Sequence, residues 1–265
     1  MLDVSAYLAR ILYDGPVAPT LPVLQEIHLA HLRSVPFENL DIHLGRPISL
    51  AVEDLFAKVV QRRRGGFCYE LNGLFAALLR EIGYEVTLLA AQHPLPDGRE
   101  PIEFDHLVLR VEAPGMPPVL ADIAAGRSGF VTPLAIDSDA AQAQPAAGAS
   151  FRVVPEGNVI WLWRQEPDRE WERVYRFSWQ PRELADFEEG CRYHQTSPDS
   201  HFTQKRICTL MTGDGRITLA DNALIMTRNG DRHEEHLPDD AAWLAALQTH
   251  FGIDLTRAHT EKEAP

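Results

Sequence analysis

The stretch RRRGGFCYELNGLF, residues 62–75, sets Cys68 directly behind Gly65, Gly66 and Phe67 and in front of a helical apolar pattern. Leu71, Leu74, Phe75, Leu78, Leu79 and Ile82 recur at spacings of three and four, and Gly83 suits a left-handed stop. The pattern predicts Cys68 in the first turn of an amphipathic helix. Unpaired backbone N–H groups and the positive helix end there favour a thiolate, so the thiol pKa is expected below about 8.5. The same N–H groups could hold an oxyanion. The two glycines predict a tight turn and close approach by a substrate. A buried structural cysteine behind a helix-breaking Gly-Gly fits the same residues, so the cysteine alone does not decide its role.

A thiolate nucleophile needs a base and a group that orients the base. In DHLVLRV the alternation puts His106, Val108 and Arg110 on one face of a strand and Leu107, Leu109 and Val111 on the other. Asp122 interrupts VLADI in the same manner, and the short connection EAPGMPP suits an antiparallel pair that brings the two side chains together. An aspartate buried in a strand is costly unless paired, and a neighbouring imidazole is its natural partner. The remaining histidines offer less. His28 and His31 share a helix face and His233 and His236 repeat the spacing, but no cysteine or carboxylate set completes a metal site, and HEEH is not the HExxH pattern. No metal is expected.

The elements that must position these residues are readable in outline. At 265 residues and 45% hydrophobic, the chain can bury a core of two or three layers. The first 84 residues read as mostly helical: Leu24, Ile27, His28 and His31 recur after a Thr20 cap, as do Leu55, Phe56, Val59 and Val60. From Tyr84 the period shortens to that of strands in EVTLLAAQ, FDHLVLRVE, PVLADI, FRVVP, VIWLWRQ and WERVYRFSW. Residues 133–150, rich in Ala, Pro and Ser, are expected as an exposed excursion between strands. A helix is expected from Pro181, then strands KRICTLMT, RITLA and ALIMTR with turns at Asp214-Gly215 and Asp221-Asn222. A last helix runs from near Pro238 to Gly252 with Leu244, Leu247 and Phe251 on its apolar stripe, and the tail from Thr256 is expected to fray.

Charge and cysteine usage exclude several classes. With 25 Lys plus Arg against 38 Asp plus Glu, the net charge of −13 argues against general binding to nucleic acid or anionic membrane. Arg62–Arg64 is the compact basic run, read as a helix end with structural ion pairs. The N-terminus lacks the features of a signal peptide, and no apolar run reaches the roughly 18 residues that span a bilayer. A cytoplasmic protein is expected. Cys68, Cys191 and Cys208 are odd in number and widely spaced, against a disulfide framework.

Taken together, YLARI, PFENL, RGGFCYELN, FDHLVL, LADIAAG, YHQTSPDSHFTQKRI and FGIDL resemble the arylamine N-acetyltransferases over nearly the whole length. The resemblance implies an α+β fold with an N-terminal helical bundle (1–84), a central β-barrel (85–190) and a C-terminal α/β lid (191–265) around a cysteine-protease-like core. It puts Cys68, His106 and Asp122 at the positions of the catalytic triad. It implies acetyl-CoA as acyl donor, an amine acceptor such as an arylamine or arylhydrazine, and a ping-pong route through an acetyl-cysteine. Phe37 and Phe202 match aromatic walls for the acceptor, and Gly126, Gly129 and Phe130 match a glycine-containing segment beside the CoA pantetheine and phosphates. One departure stands out: where the family follows its aspartate with a Val-Gly-Phe-Gly type run, this chain has Ile123, Ala124, Ala125 and Gly126. The missing ring at Ala125 predicts a wider pocket and an altered acceptor range. Alternatives compatible with the residues are an amide synthase with the same triad and another acyl donor, a papain-like or transglutaminase-like hydrolase, and a non-catalytic binding protein.

Overall fold

The apolar stripe behind Cys68 folds into the helix it predicts, Cys68–Ile82, with Gly83 closing it at φ +108°. We label it α5. In the computed structural model, which describes residues 2–95 and 98–255, it is the central element of the larger core. Leu71, Leu74, Phe75, Leu78 and Leu79 are all buried against α1 (Val4–Arg10), α2 (Leu21–Ser34) and one face of a sheet. Between α2 and α5 lie the short α3 (Leu40–His43) and α4 (Val52–Phe56), which runs on with wider π-type winding over Ala57–Gln61.

The sheet has eight strands in the order β5-β4-β3-β2-β9-β8-β7-β6. These are β2 (Glu85–Gln92), β3 (His106–Ala113), β4 (Met116–Ala121), β5 (Leu134–Ala135), β6 (Gln142–Gln144), β7 (Ala149–Glu156), β8 (Val159–Gln165) and β9 (Glu172–Phe177). The predicted alternation on β3 holds. Leu107, Leu109 and Val111 face the helical core, and Val108 faces a second core with Leu89, Phe151, Leu162 and Tyr175. β3 and β4 pair antiparallel, as their short connection requires.

Residues 133–150 correct one expectation. They are not a free excursion, because β5 and β6 form the two edges of the sheet, and Leu134, Gln144 and Ala149 are buried. Two glutamines bring the edges together. Gln142 donates from Nε2 to Ala135 O and accepts from Ala135 N, both at 2.9 Å. Gln144 accepts from Val131 N (2.8 Å) and Thr132 N (3.0 Å) and donates to Thr132 O (2.7 Å). Each primary amide carries the donor and acceptor a peptide unit would offer, so side chains stand in for missing ladder bonds and nearly close the sheet. Composition hid this, since a polar side chain mimicking backbone leaves no apolar period.

A second sheet has the order β1-β10-β11-β12-β13, with β1 (Phe37–Glu38) running antiparallel to β10 (Ile207–Met211). Thus a dipeptide from the first region pairs with a strand of the last. β11 (Gly215–Ala220), β12 (Ala223–Arg228) and β13 (Asp231–His236) follow as hairpins. β13 escaped the sequence reading because all six of its residues are exposed and it has no apolar alternation. The helix expected from Pro181 begins later, as a short 3-10 turn over Leu184–Phe187 leading into α6 (Glu188–Thr196), and the small α7 (His201–Gln204) follows. The last helix, α8 (Asp240–Phe251), is capped by the Asp239 side chain and ends at Gly252. Its buried stripe is Trp243, Leu247 and Phe251; the expectation holds at Leu247 and Phe251 and fails at Leu244, which is 39% exposed. The expected frayed tail lies outside the described residues. No described helix is long and apolar enough to cross a membrane.

Replacing Gln144 by Leu leaves the buried Val131 N–H and the half-buried Thr132 N–H and C=O without their partner, which costs about 1–3 kcal/mol. Urea unfolding checks this: the midpoint falls with the slope unchanged, whereas an unaltered midpoint removes the role given to the glutamine closure.

Candidate active site

The turn before Cys68 is built from the sequence outward. Phe67 caps α5, and its N–H donates to Glu70 Oε2 at 3.1 Å. Glu70 Oε1 in turn accepts from Lys58 Nζ at 2.7 Å, and Lys58 reaches Asp41 at the same distance. Arg64 pairs with Glu38 at 2.8 Å and Asp41 at 3.0 Å. All five side chains are buried, so the expected structural ion pairs of the basic run are real and belong to Arg64. The glycines serve this packing rather than substrate approach, correcting the expectation. A Cβ on Gly65 would strike the Pro36 carbonyl oxygen, and one on Gly66 would crowd the Glu70 carboxylate.

Cys68, His106 and Asp122 come together at the junction of α5 and the eight-stranded sheet, and all three are buried. His106 Nε2 donates to Asp122 Oδ2 at 2.8 Å, and Cys68 lies close enough to the same imidazole for the two to shift each other's ionisation. With Nε2 engaged by the carboxylate, Nδ1 is the nitrogen left for sulfur. Asn72, one turn along α5 from Cys68, received no role from sequence. Its Nδ2 donates to Asp122 Oδ1 (2.9 Å) and Leu107 O (2.7 Å), while its Oδ1 accepts from Ile123 N (3.1 Å). Ala124 N supplies a further bond to Asp122 Oδ1 at 2.9 Å. Neutral His28 adds support: Nδ1 donates to Val131 O, Nε2 faces Asp122 N, and burial lowers its pKa to about 4.

Electrostatics corrects the expected thiol. Burial pushes Cys68 up from its ordinary value, opposed by the hydrogen bond and charge of His106. The helix end does not dominate, because the sulfur is removed from water. For His106, burial disfavours the imidazolium, but the charge and hydrogen bond of Asp122 overcome it and raise the imidazole well above its usual range. Burial likewise opposes ionisation of Asp122, and His106, Asn72 and Ala124 N–H hold it below the usual carboxylate range. A thiolate formed here is therefore stabilised mainly by His106 rather than by the helix terminus, against the cost of burial.

A cavity of about 450 Å³ opens over the sulfur, lined by Cys68, His106, Phe37, Phe202, Ala124 and Ala125 among others. The Phe37 and Phe202 rings lie 6.0 Å apart, and Asn39 fixes that wall through bonds to Phe202 O (2.9 Å), Lys205 O (2.7 Å) and Ile207 N (2.8 Å). Gly126 also reaches the cavity, in left-handed backbone at φ +59°, with its carbonyl held by Arg216 at 3.0 Å. Gly129 packs behind Ala125. Phe130 is not brought to the cavity: it is buried, stacked on His28 at 5.7 Å and set edge-on to Phe151. Tyr175, His93 and Asp105 border the triad and went unread in the sequence. Tyr175 is buried with no hydrogen-bond partner of good geometry for its hydroxyl. A larger cleft of about 800 Å³ runs between residues 42–51 and 184–196; its Cys191 accepts from Gln195 Nε2 at 3.2 Å, and burial pushes its thiol up from the ordinary value. All three cysteines are free, and no cluster of metal-ligating side chains occurs among the described residues.

A buried Cys-His-Asp grouping under an apolar cavity, set between a helix and a nearly closed sheet, is an arrangement that could support acyl transfer. The sequence model of the N-acetyltransferase family matches residues 20–260. The chain belongs to the arylamine N-acetyltransferase family. It is 37% identical over 264 residues to the arylamine N-acetyltransferase of Mycolicibacterium smegmatis, covering 96% of this chain and 93% of that protein. A solved Mycobacterium smegmatis arylamine N-acetyltransferase superposes with a TM-score of 0.90 at 36% identity, covering 98% and 95% of the two chains. The Mycobacterium marinum enzyme, solved in complex with CoA, does so with a TM-score of 0.89 at 35% identity, covering 96% and 94%.

The pair makes stability pH-dependent in a defined sense. Asp122, lowered in the folded state, contributes above the ordinary carboxylate pKa of about 4 and loses that contribution as pH falls through its folded value. His106, raised, contributes fully below about pH 6.5 and loses it as pH rises through its folded value. The stability gap between wild type and Asp122→Asn is therefore greatest, about 3–5 kcal/mol, between about pH 4 and 6.5 and shrinks on the alkaline side. A gap constant up to about pH 9 in chemical denaturation contradicts the pairing.

Proposed function

We propose that this protein transfers an acetyl group from acetyl-CoA to an amine through a thioester on Cys68. The observation that carries the proposal is the placement of Cys68 beside His106, itself hydrogen-bonded to Asp122, on the wall of an apolar cavity. Cys68 passes its proton to His106 and attacks the thioester carbonyl. The tetrahedral intermediate expels the CoA thiolate, which takes the proton from His106 and leaves as CoA. The acceptor amine then attacks the acetyl-cysteine, neutral His106 takes the amine proton, and the amide departs as the Cys68 thiolate and imidazolium reform. Asp122 holds the imidazole and stabilises its charge throughout.

In this proposal Phe37 and Phe202 hold the acceptor ring, and Gly126 and Gly129, not the Phe130 side chain, border the CoA. Ala125, in place of a ring, leaves the cavity wider, which shifts preference among acceptors by about 0.5–1.5 kcal/mol. The division into a helical region 1–84, a barrel 85–190 and a lid 191–265 belongs to the same reading, with β1 tying the first part to the last. Aqueous cytoplasm is the compartment that supplies acetyl-CoA. Neither a metal nor nucleic acid has a part in the reaction.

Initial rates over a grid of acetyl-CoA and aniline concentrations test the route. Parallel double-reciprocal lines are expected, and Cys68→Ser lowers kcat by about 10²-fold or more. Intersecting lines, or an active serine variant, sink the covalent route.

A further inference from the structure

Beside the triad stands a second imidazole–carboxylate pair. His93, just past the end of β2, donates from Nδ1 to Asp105 Oδ2 at 2.8 Å, and its backbone N–H meets the same oxygen at 3.0 Å. Asp105 Oδ1 lies 3.3 Å from His194 Nε2, and His194 is held by Ser200 Oγ at 2.9 Å. Burial opposes ionisation of Asp105, yet the two histidines keep it well below the usual carboxylate range. The carboxylate therefore fixes the His93 tautomer and leaves Nε2 as its lone-pair nitrogen. The His93 ring centroid is 4.9 Å from that of His106, and both line the cavity over Cys68. Their exposure differs sharply, with side-chain accessibilities of 40% for His93 and 3% for His106.

Proton balance says what a second base is for. With a neutral amine the triad closes its own account: His106 gives one proton to the departing CoA thiolate and regains one from the attacking amine. With an ammonium acceptor, each turnover releases one extra proton, which must leave the nitrogen before the C–N bond forms and then reach solvent. His106 is nearly closed from solvent, whereas His93 is the exposed imidazole of the two. We propose that His93, held by Asp105, takes this proton, so that the site accepts basic alkylammonium amines as well as neutral arylamines. The inference rests on the acetyl-transfer reading above. In the added step the N–H bond of the ammonium breaks, its electron pair stays on nitrogen to attack the acetyl carbonyl, and the proton passes to His93 Nε2 and on to water. The titratable groups facing His93 are Asp105, His106 and Tyr175 on its own side, and Cys68, His201 and Lys205 across the cavity.

Benzylamine and aniline, each with acetyl-CoA, separate the possibilities in wild type, His93→Gln and Asp105→Asn. The wild type should acetylate benzylamine near pH 7 with release of one proton per amide in weak buffer. His93→Gln should lower kcat/KM for benzylamine about tenfold or more beyond its effect on aniline, and the deficit should shrink towards about pH 9, where more of the amine is neutral. Asp105→Asn should fall in the same direction. Aniline turnover by the same preparations reports that each variant is folded. Equal losses for both amines, a deficit insensitive to pH, or a wild type that uses aniline but not benzylamine would overturn the assignment. A wild type inactive with both amines overturns the acetyl-transfer reading and this inference with it.

Discussion

A carboxylate removed from water at the seam between a helix and a sheet governs this molecule. Asp122 is 1% exposed, and an unpaired carboxylate there would cost several kcal/mol. Its oxygens are met by His106, Asn72 and the Ala124 N–H, so the charge is accommodated only when α5, β3 and the segment after β4 are in register. Asn72 is the cross-link. The same side chain bonds Leu107 O on β3 and Ile123 N after β4, which docks the helix that carries Cys68 onto the strand that carries His106. Satisfying one buried anion and aligning three reactive groups are thus a single geometric demand.

A second buried network sets the approach to the sulfur. Lys58 and Arg64 share Glu38, Asp41 and Glu70, joining the segment before α3, the π-wound turn after α4 and the first turn of α5. Buried ion pairs are weak contributors to net stability, but losing one partner strands a charge, so they penalise any other path of the chain. The chain pays for that rigidity with Gly65 and Gly66, where no Cβ fits. PFENL acquires a division of labour from this: Phe37 walls the cavity, Glu38 joins the ion network, and Asn39 clamps the segment bearing Phe202.

Where one residue carried one local signal, the sequence was informative. Cys68 stood at the head of a 3.6-period stripe, and His106 and Asp122 broke strands that were otherwise apolar; the observed helix and antiparallel pair follow directly. Signals failed where function depends on partners distant in sequence. The direction of the Cys68 shift required knowing that the site is closed from water. Asn72 carried no signal of its own, because its role lies in partners on β3 and after β4. Gln142 and Gln144 looked like loop composition until their amides met the opposite edge of the sheet. Phe130 matched a ligand segment by position, yet its ring is consumed by His28 and Phe151. β13 has no buried face to announce it.

The central claim is that the Cys68 sulfur carries the acyl group. Incubating the protein with acetyl-CoA in the absence of any amine, followed by mass analysis of its peptides, tests this most directly. The account predicts a gain of one acetyl group confined to the peptide containing Cys68, discharged when an amine is added. An unmodified Cys68 peptide, or acetylation found only on lysines and unaffected by amine, would contradict it.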